Sequence, residues 1–437
     1  MTHSRLGLIV IAGGGVAGLR AAERLIERGF QGRIEVVSAE RHAPYRRPGL
    51  TEGLLAGRSS PASLRLRARL DGRVRWHHGI RVVGLDPAAR RVLLDDGRYG
   101  PYDGLIVATG LTPQTLPGAR RVTDRVQTLR TVDDAVRLRA TARSARTFLI
   151  VGGGLIGAEA AATLRATGAR VTVLDLAPTL VSEAVGPRLG VALTELHRRR
   201  GVQVITGVAV RSWVHRGDGI RAVLSDGGEI RADAGLVAIG ARPELGWLQD
   251  AGAQAADGVL CGPTTHVVGL EDVVACGDCA RWPNLRFDDV PHRVEQWATS
   301  IAMARHAADA LLDGPQVARP FVPVPWGWTE QWGVRVHMLG RPLAGASTAI
   351  DGDPDALRGA LGTHDAAGRL VGAVVAERPT ATVALHRAIG EACPKPAPEA
   401  AAAWRPPATT PAPPVPGDGR SAPPPVFERR RFVPAPA

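Results

Sequence analysis

The strongest constraint on this chain is a pair of glycine-rich turns, Gly13-Gly14-Gly15-Val16-Ala17-Gly18 and Gly152-Gly153-Gly154-Leu155-Ile156-Gly157, set 139 residues apart. Each follows a short apolar run of strand length, residues 6–12 and 147–151, and each leads into an alanine-rich stretch of helical character. That strand–turn–helix context gives the motif its meaning. One glycine makes the tight turn, one lets the backbone approach a pyrophosphate, and one lets helix pack on strand. The helix N-terminus then offers N–H groups and a positive dipole end to the phosphates. A second mark accompanies each turn. Glu40 falls 22 residues after Gly18 and Asp175 falls 18 after Gly157, each ending a further strand-like run. An acid in that place can bind an adenosine ribose hydroxyl. Two complete units predict two dinucleotide sites.

With 437 residues the chain has room for two or three domains, each with its own core. No uninterrupted apolar run reaches the length of a membrane helix, and no cleavable leader pattern precedes the first glycine turn, so a cytoplasmic location and no integral membrane contact are expected. Cys261, Cys276, Cys279 and Cys393 are too few for a disulfide scaffold. Cys276 and Cys279 form a CxxC pair that does not open a thioredoxin-like helix, and no second pair lies near enough for zinc. No metal is expected. A formal charge of +12, carried almost wholly by arginine, favours an acidic partner. Nucleic acid is not expected, since the arginines are scattered and no binding module is evident.

The order of segments reads as α/β: two Rossmann-like nucleotide-binding domains, the second inserted in the first, plus a small α+β C-terminal domain. Residues 1–113 begin the first fold and end at a buried strand and small-residue turn, Ala108-Thr109-Gly110. Residues 114–240 form the inserted fold, which closes on a similar turn at Gly240. Residues 241–318 return to the first fold through a strand near 272–276, a turn at Gly277-Asp278, and a long helix over 295–312. Residues 319–393 carry alternating strands and a short helix. Residues 394–437 hold 14 of the 34 prolines; such a segment buries too little apolar surface to offset its ordering entropy and is predicted disordered.

Several further stretches carry a family resemblance: residues 44–52 (Pro-Tyr-Arg-Arg-Pro-Gly-Leu-Thr-Glu), Val107–Gly110, Leu129-Arg130-Thr131, Cys276-Gly277-Asp278-Cys279, Glu295-Gln296-Trp297 and residues 325–331 (Pro-Trp-Gly-Trp-Thr-Glu-Gln). With both glycine turns, they make the chain resemble the ferredoxin reductase branch of the FAD-dependent pyridine nucleotide oxidoreductases, over residues 6 to about 393. The resemblance implies FAD in the first fold and NADH in the inserted one. Gly13, Gly15, Val16, Ala17 and Gly18 would hold the FAD pyrophosphate, Glu40 its ribose and Arg47 a phosphate. The backbone at Val83 would meet the adenine, the Ala108-Thr109-Gly110 turn would line the cofactor, and Asp278 would take the ribityl hydroxyls. Trp297 would stand at the flavin edge. Gly152, Gly154, Ile156, Gly157 and Gly240 would cradle the nicotinamide nucleotide, with Glu159 positioning its ring. Asp175 argues for NADH over NADPH, because a carboxylate bonds a free 2′-hydroxyl and repels a 2′-phosphate.

The implied reaction is hydride transfer between stacked rings, where the protein supplies placement and electrostatics. Electrons would then pass singly to an acidic ferredoxin or a rubredoxin-like carrier, from a monomer or homodimer. One position departs from the family. Members usually carry lysine where this chain has Glu52, so two carboxylates, Glu52 and Glu159, are expected close together beside the flavin, with at least one pKa raised. An arginine such as Arg46 or Arg293 could supply the missing cation, or the flavin potential could be lower than in relatives. Two other readings stay open: a reductase of a quinone, oxygen or another small acceptor, and a flavin-binding sensor that has lost activity.

Overall fold

The structure, a computed structural model, describes residues 6–116, 125–216, 219–397 and 399–407. The first glycine turn belongs to a five-stranded parallel sheet ordered Val273–Ala275, Gly104–Val107, Leu8–Ala12, Arg33–Ser38, Val74–His78. Leu8–Ala12 is buried along its whole length, as a central strand covered on both faces must be. Helix Val16–Glu27 covers one face and packs on helix Trp297–Asp313, which arrives from far along the chain. Arginines stitch the two helices: the Arg24 guanidinium donates to both oxygens of Asp309 (2.7 and 3.0 Å), and Arg28 donates to Asp309 (2.8 Å) and Asp313 (2.7 Å).

The second glycine turn opens a matching sheet, ordered Gln203–Thr206, Arg170–Asp175, Thr147–Val151, Ala234–Val237, Val126–Thr128, again all parallel. Each parallel sheet carries a three-stranded antiparallel meander, Val82–Asp86 to Tyr99–Pro101 in the first half and Val210–Arg216 to Ala232 in the second. The chain passes between the two halves across a short antiparallel pair, Thr112–Pro113 with Ala241–Arg242. Beyond them an antiparallel sheet runs Trp326–Gln331, Val334–Gly340, Leu370–Ala376, Arg358–His364, Ala346–Asp353, with helix Pro379–Ala392 against it. The α/β class expected from the sequence is the one observed.

Two differences stand out. The long helix spans Trp297–Asp313, so Glu295 and Gln296 precede it and Trp297 is its first residue. The segment predicted disordered from 394 begins structured: Glu399–Ala403 form a helical turn, and the Trp404 indole donates to Asp289 O at 3.0 Å. The remainder of that prediction, from 408 onward, lies outside the described residues. Among the described residues no helix is long and apolar enough to cross a membrane.

Candidate functional site

The two glycine turns line a single cleft of about 1930 Å³. In each turn the last glycine is there for packing. A Cβ on Gly18 would stand 1.9 Å from Gly13 O, and one on Gly157 would stand 1.9 Å from Gly152 O. The third glycine is there for access. A Cβ on Gly15 or Gly154 would meet no protein atom within 4 Å. Gly15 and Gly154 line the cleft, whereas Gly18 and Gly157 sit behind it. Backbone N–H groups at a helix start beside open space form a cradle for a pyrophosphate.

Of the residues singled out from the sequence, Gly13, Gly15, Val16, Ala17, Glu40, Arg47, Val83, Ala108, Thr109, Gly110, Asp278 and Trp297 line the first half of the cleft. Gly152, Gly154, Ile156, Glu159, Asp175 and Gly240 line the second. Glu52 does not reach it. The short π-helical turn Leu50–Leu55 presents Thr51 to the cleft instead. The Glu52 carboxylate accepts from the Trp328 indole (3.1 Å) and pairs with Arg46. Of the two arginines considered as a substitute cation, Arg46 therefore stands at Glu52, while Arg293 is held by Asp257 (3.0 Å) and Glu295 (2.6 Å).

A chain of hydrogen bonds through two acids and two arginines lines the first half. Glu40 accepts from the Tyr45 hydroxyl (2.5 Å) and from Arg47 (2.7 Å). Arg47 also donates to Arg130 O, and the Arg130 guanidinium donates to Asp278 at 3.2 Å. Ser300, on the returning helix, donates to the other Asp278 oxygen at 2.9 Å. Burial, reinforced by the neighbouring Arg47, pulls the Arg130 guanidinium below the usual arginine range. This partly buried cation, already paired with Asp278, could also meet an anionic ligand in the cleft. The resemblance had marked Leu129–Thr131 without giving Arg130 a role; nothing local in the sequence links it to Asp278, 148 residues on.

In the second half, Asp175 accepts from the backbone N–H of Gly153 (2.6 Å) and of Ala177 (2.9 Å), which fixes the carboxylate at the turn. Glu159 lies on the first turns of helix Leu155–Ala166, is half-buried and lines the cleft. It accepts from the hydroxyls of Thr51 and Thr329, both at 2.6 Å. Burial pushes its pKa up to about 7, against the pull of those hydroxyls and with help from the charge of Glu52. The expected clash of two carboxylates thus takes the form of one titrating group held by threonines.

The CxxC cysteines are free and buried, and burial holds both thiols above the ordinary range. Cys279 Sγ donates weakly to Cys276 O (3.4 Å). Such thiols are poor nucleophiles.

Residues 8–304 match the pyridine nucleotide-disulphide oxidoreductase family. The chain is 35% identical over 334 residues to the ferredoxin–NAD(+) reductase component of a p-cumate 2,3-dioxygenase system from Pseudomonas putida, covering 76% of this chain and 81% of that protein. It is 38% identical over 339 residues to the ferredoxin reductase component of a chlorobenzene dioxygenase from Cupriavidus sp. (strain PS12), covering 76% and 80%. Its fold superposes on putidaredoxin reductase from a covalent complex with putidaredoxin at a TM-score of 0.82, with 27% identity over 88% of this chain and 93% of that one. On matched sequence and superposed fold alike, the chain belongs to the pyridine nucleotide-disulphide oxidoreductase family, in its ferredoxin reductase branch.

Proposed function

We propose that this protein carries electrons from NADH, through FAD, to a one-electron iron–sulfur carrier of the ferredoxin type. The observation that carries the reading is the single cleft lined by both glycine turns, which lets two dinucleotides meet. FAD, when bound, supplies the exchange between a two-electron donor and one-electron acceptors. The residues present fit it. Open backbone at Gly15 suits a pyrophosphate, Glu40 a ribose, and the Arg47–Arg130–Asp278 chain the phosphate and polyol between. Trp297 at the start of its helix and Trp328 on the neighbouring strand add aromatic surface to the cleft wall.

In the second half, Gly154 offers the matching open turn, and Asp175 favours NADH. Residues 176–180, Leu-Ala-Pro-Thr-Leu, contain no arginine to receive a 2′-phosphate. The charge of +12 supports an acidic acceptor, with encounter steered by surface charge. The test is ferredoxin reduction by NADH at rising ionic strength. Turnover that falls steeply with salt supports an acidic partner; turnover indifferent to salt contradicts it.

A further inference from the structure

The two threonine hydroxyls on Glu159 are not equivalent. On one side the donors form a one-way chain. His197 is fully buried, and its Nε2 lies 2.9 Å from Gln331 Oε1. Gln331 Nε2 donates to Thr329 Oγ1 at 3.2 Å, and Thr329 donates to Glu159 Oε1 at 2.6 Å. An amide oxygen facing His197 requires the ring hydrogen on Nε2. Burial brings the His197 pKa down to about 4, so the ring stays neutral. Every donor from His197 onward points toward Glu159, which commits the Thr329 hydrogen to Oε1.

Thr51 has a choice. Its Oγ1 lies 2.6 Å from Glu159 Oε2 and 3.3 Å from Pro48 O. One hydroxyl hydrogen can serve only one of these acceptors. With its hydrogen on Pro48 O, Thr51 is free to accept from a protonated Oε2.

We propose that Glu159 holds a proton during turnover, bound on Oε2, and that Thr51 is the positioning residue that keeps the carboxyl hydrogen-bonded in both states. Ionised, Oε2 accepts from Thr51. Neutral, Oε2–H donates to Thr51, whose own hydrogen turns to Pro48 O. This inference rests on the electron-transfer reading above and gives its proton a place. NADH yields NAD+, two electrons and one proton; two iron–sulfur acceptors each take one electron and no proton. One proton per NADH is left to be held and released.

The charged surroundings suit a group that titrates near neutrality. Glu52, on the same turn as Thr51, adds its negative charge to burial in favouring the neutral acid. Arg46 pairs with Glu52 through the oxygen that the Trp328 indole leaves free. On strand Trp326–Gln331, the Glu330 side chain turns to Arg335 (2.5 Å), while its backbone N–H reaches the Glu159 carboxyl. Asp175, on the strand beside the Glu159 helix, is spent on backbone N–H groups.

The test is infrared difference spectroscopy of the resting, flavin-loaded protein between about pH 5 and about pH 9, with Glu159→Gln as reference. The expected result is a carboxyl band titrating near pH 7 that Glu159→Gln abolishes. Thr51→Ser keeps both band and midpoint. Thr51→Val raises the midpoint by about one unit, a tenfold change in proton affinity, and moves the acid band to higher frequency because the O–H has lost its acceptor. Thr329→Val raises the midpoint and leaves that O–H bonded. In stopped-flow mixing with NADH and ferredoxin beside a pH indicator, proton release lags electron delivery in the wild type and coincides with it in Glu159→Gln. A carboxyl that does not titrate in this range, or one indifferent to Thr51→Val, overturns the proposal. The infrared titration uses no electron acceptor, so it stands or falls separately from the ferredoxin reading.

Discussion

Replacing Gly154 and Gly157 by alanine, one at a time, separates ligand access from packing within one six-residue turn. At Gly157 the new Cβ would stand 1.9 Å from Gly152 O, about 1.5 Å inside ordinary contact, and the obstacle is backbone that cannot swing away. The helix must shift from its strand. Overpacking of this kind costs about 2 kcal/mol, with a fall in Tm of roughly 5 °C. At Gly154 the Cβ meets nothing within 4 Å, so the fold is expected to keep its Tm. The methyl instead enters the space where a pyrophosphate would approach the backbone. Losing that approach costs about 1.4 kcal/mol or more, a tenfold rise in Kd. The assays are differential scanning fluorimetry of the flavin-loaded protein and an NADH binding titration. The reasoning fails if Gly154→Ala binds NADH as the wild type does. It fails equally if Gly157→Ala melts unchanged.

Other substitutions probe other parts of the molecule. Glu52→Lys removes the partner of Arg46 and places a cation near Glu159; the Glu159 titration should fall below neutrality and the flavin potential should rise, read by infrared and redox titrations. No upward potential shift would discard the idea that Glu52 lowers it. Because Glu159 titrates near 7 in the folded protein against 4.5 for the ordinary side chain, the folded state holds the extra proton between those values. Stability should therefore decline as pH rises across that window, by about 3 kcal/mol at most, and Glu159→Gln should flatten the decline in Tm against pH. Asp309→Asn takes the shared carboxylate from Arg24 and Arg28; a loss of about 1 kcal/mol in denaturant unfolding is expected, with NADH affinity unchanged.

What could be read from the sequence was what local chain geometry dictates. Gly13–Gly18 with Glu40, and Gly152–Gly157 with Asp175, sit within single βαβ units, where spacing alone fixes which residues meet. Glu52 does stand near enough for its charge to act on Glu159, but a π-helical turn presents Thr51 rather than Glu52 to the cleft and turns Glu52 toward Trp328. A motif carries no information about such a local winding. The threonine cradle was invisible for a different reason. Thr51 and Glu159 are 108 residues apart, Thr329 and Glu159 170, and His197 and Gln331 134. These contacts exist only once three segments distant in sequence pack together, and threonine and glutamine show no periodicity that would announce them. The same holds for Trp404, which reaches Asp289 across 115 residues although the composition around it predicts disorder.

The most direct test is anaerobic titration of the purified yellow protein with NADH, followed by oxidised ferredoxin. The account predicts that one equivalent of NADH bleaches the flavin, that NADPH does so far more slowly, and that two equivalents of ferredoxin restore the colour. A flavin that NADH leaves oxidised, or a bleached protein that ferredoxin cannot reoxidise, would contradict it.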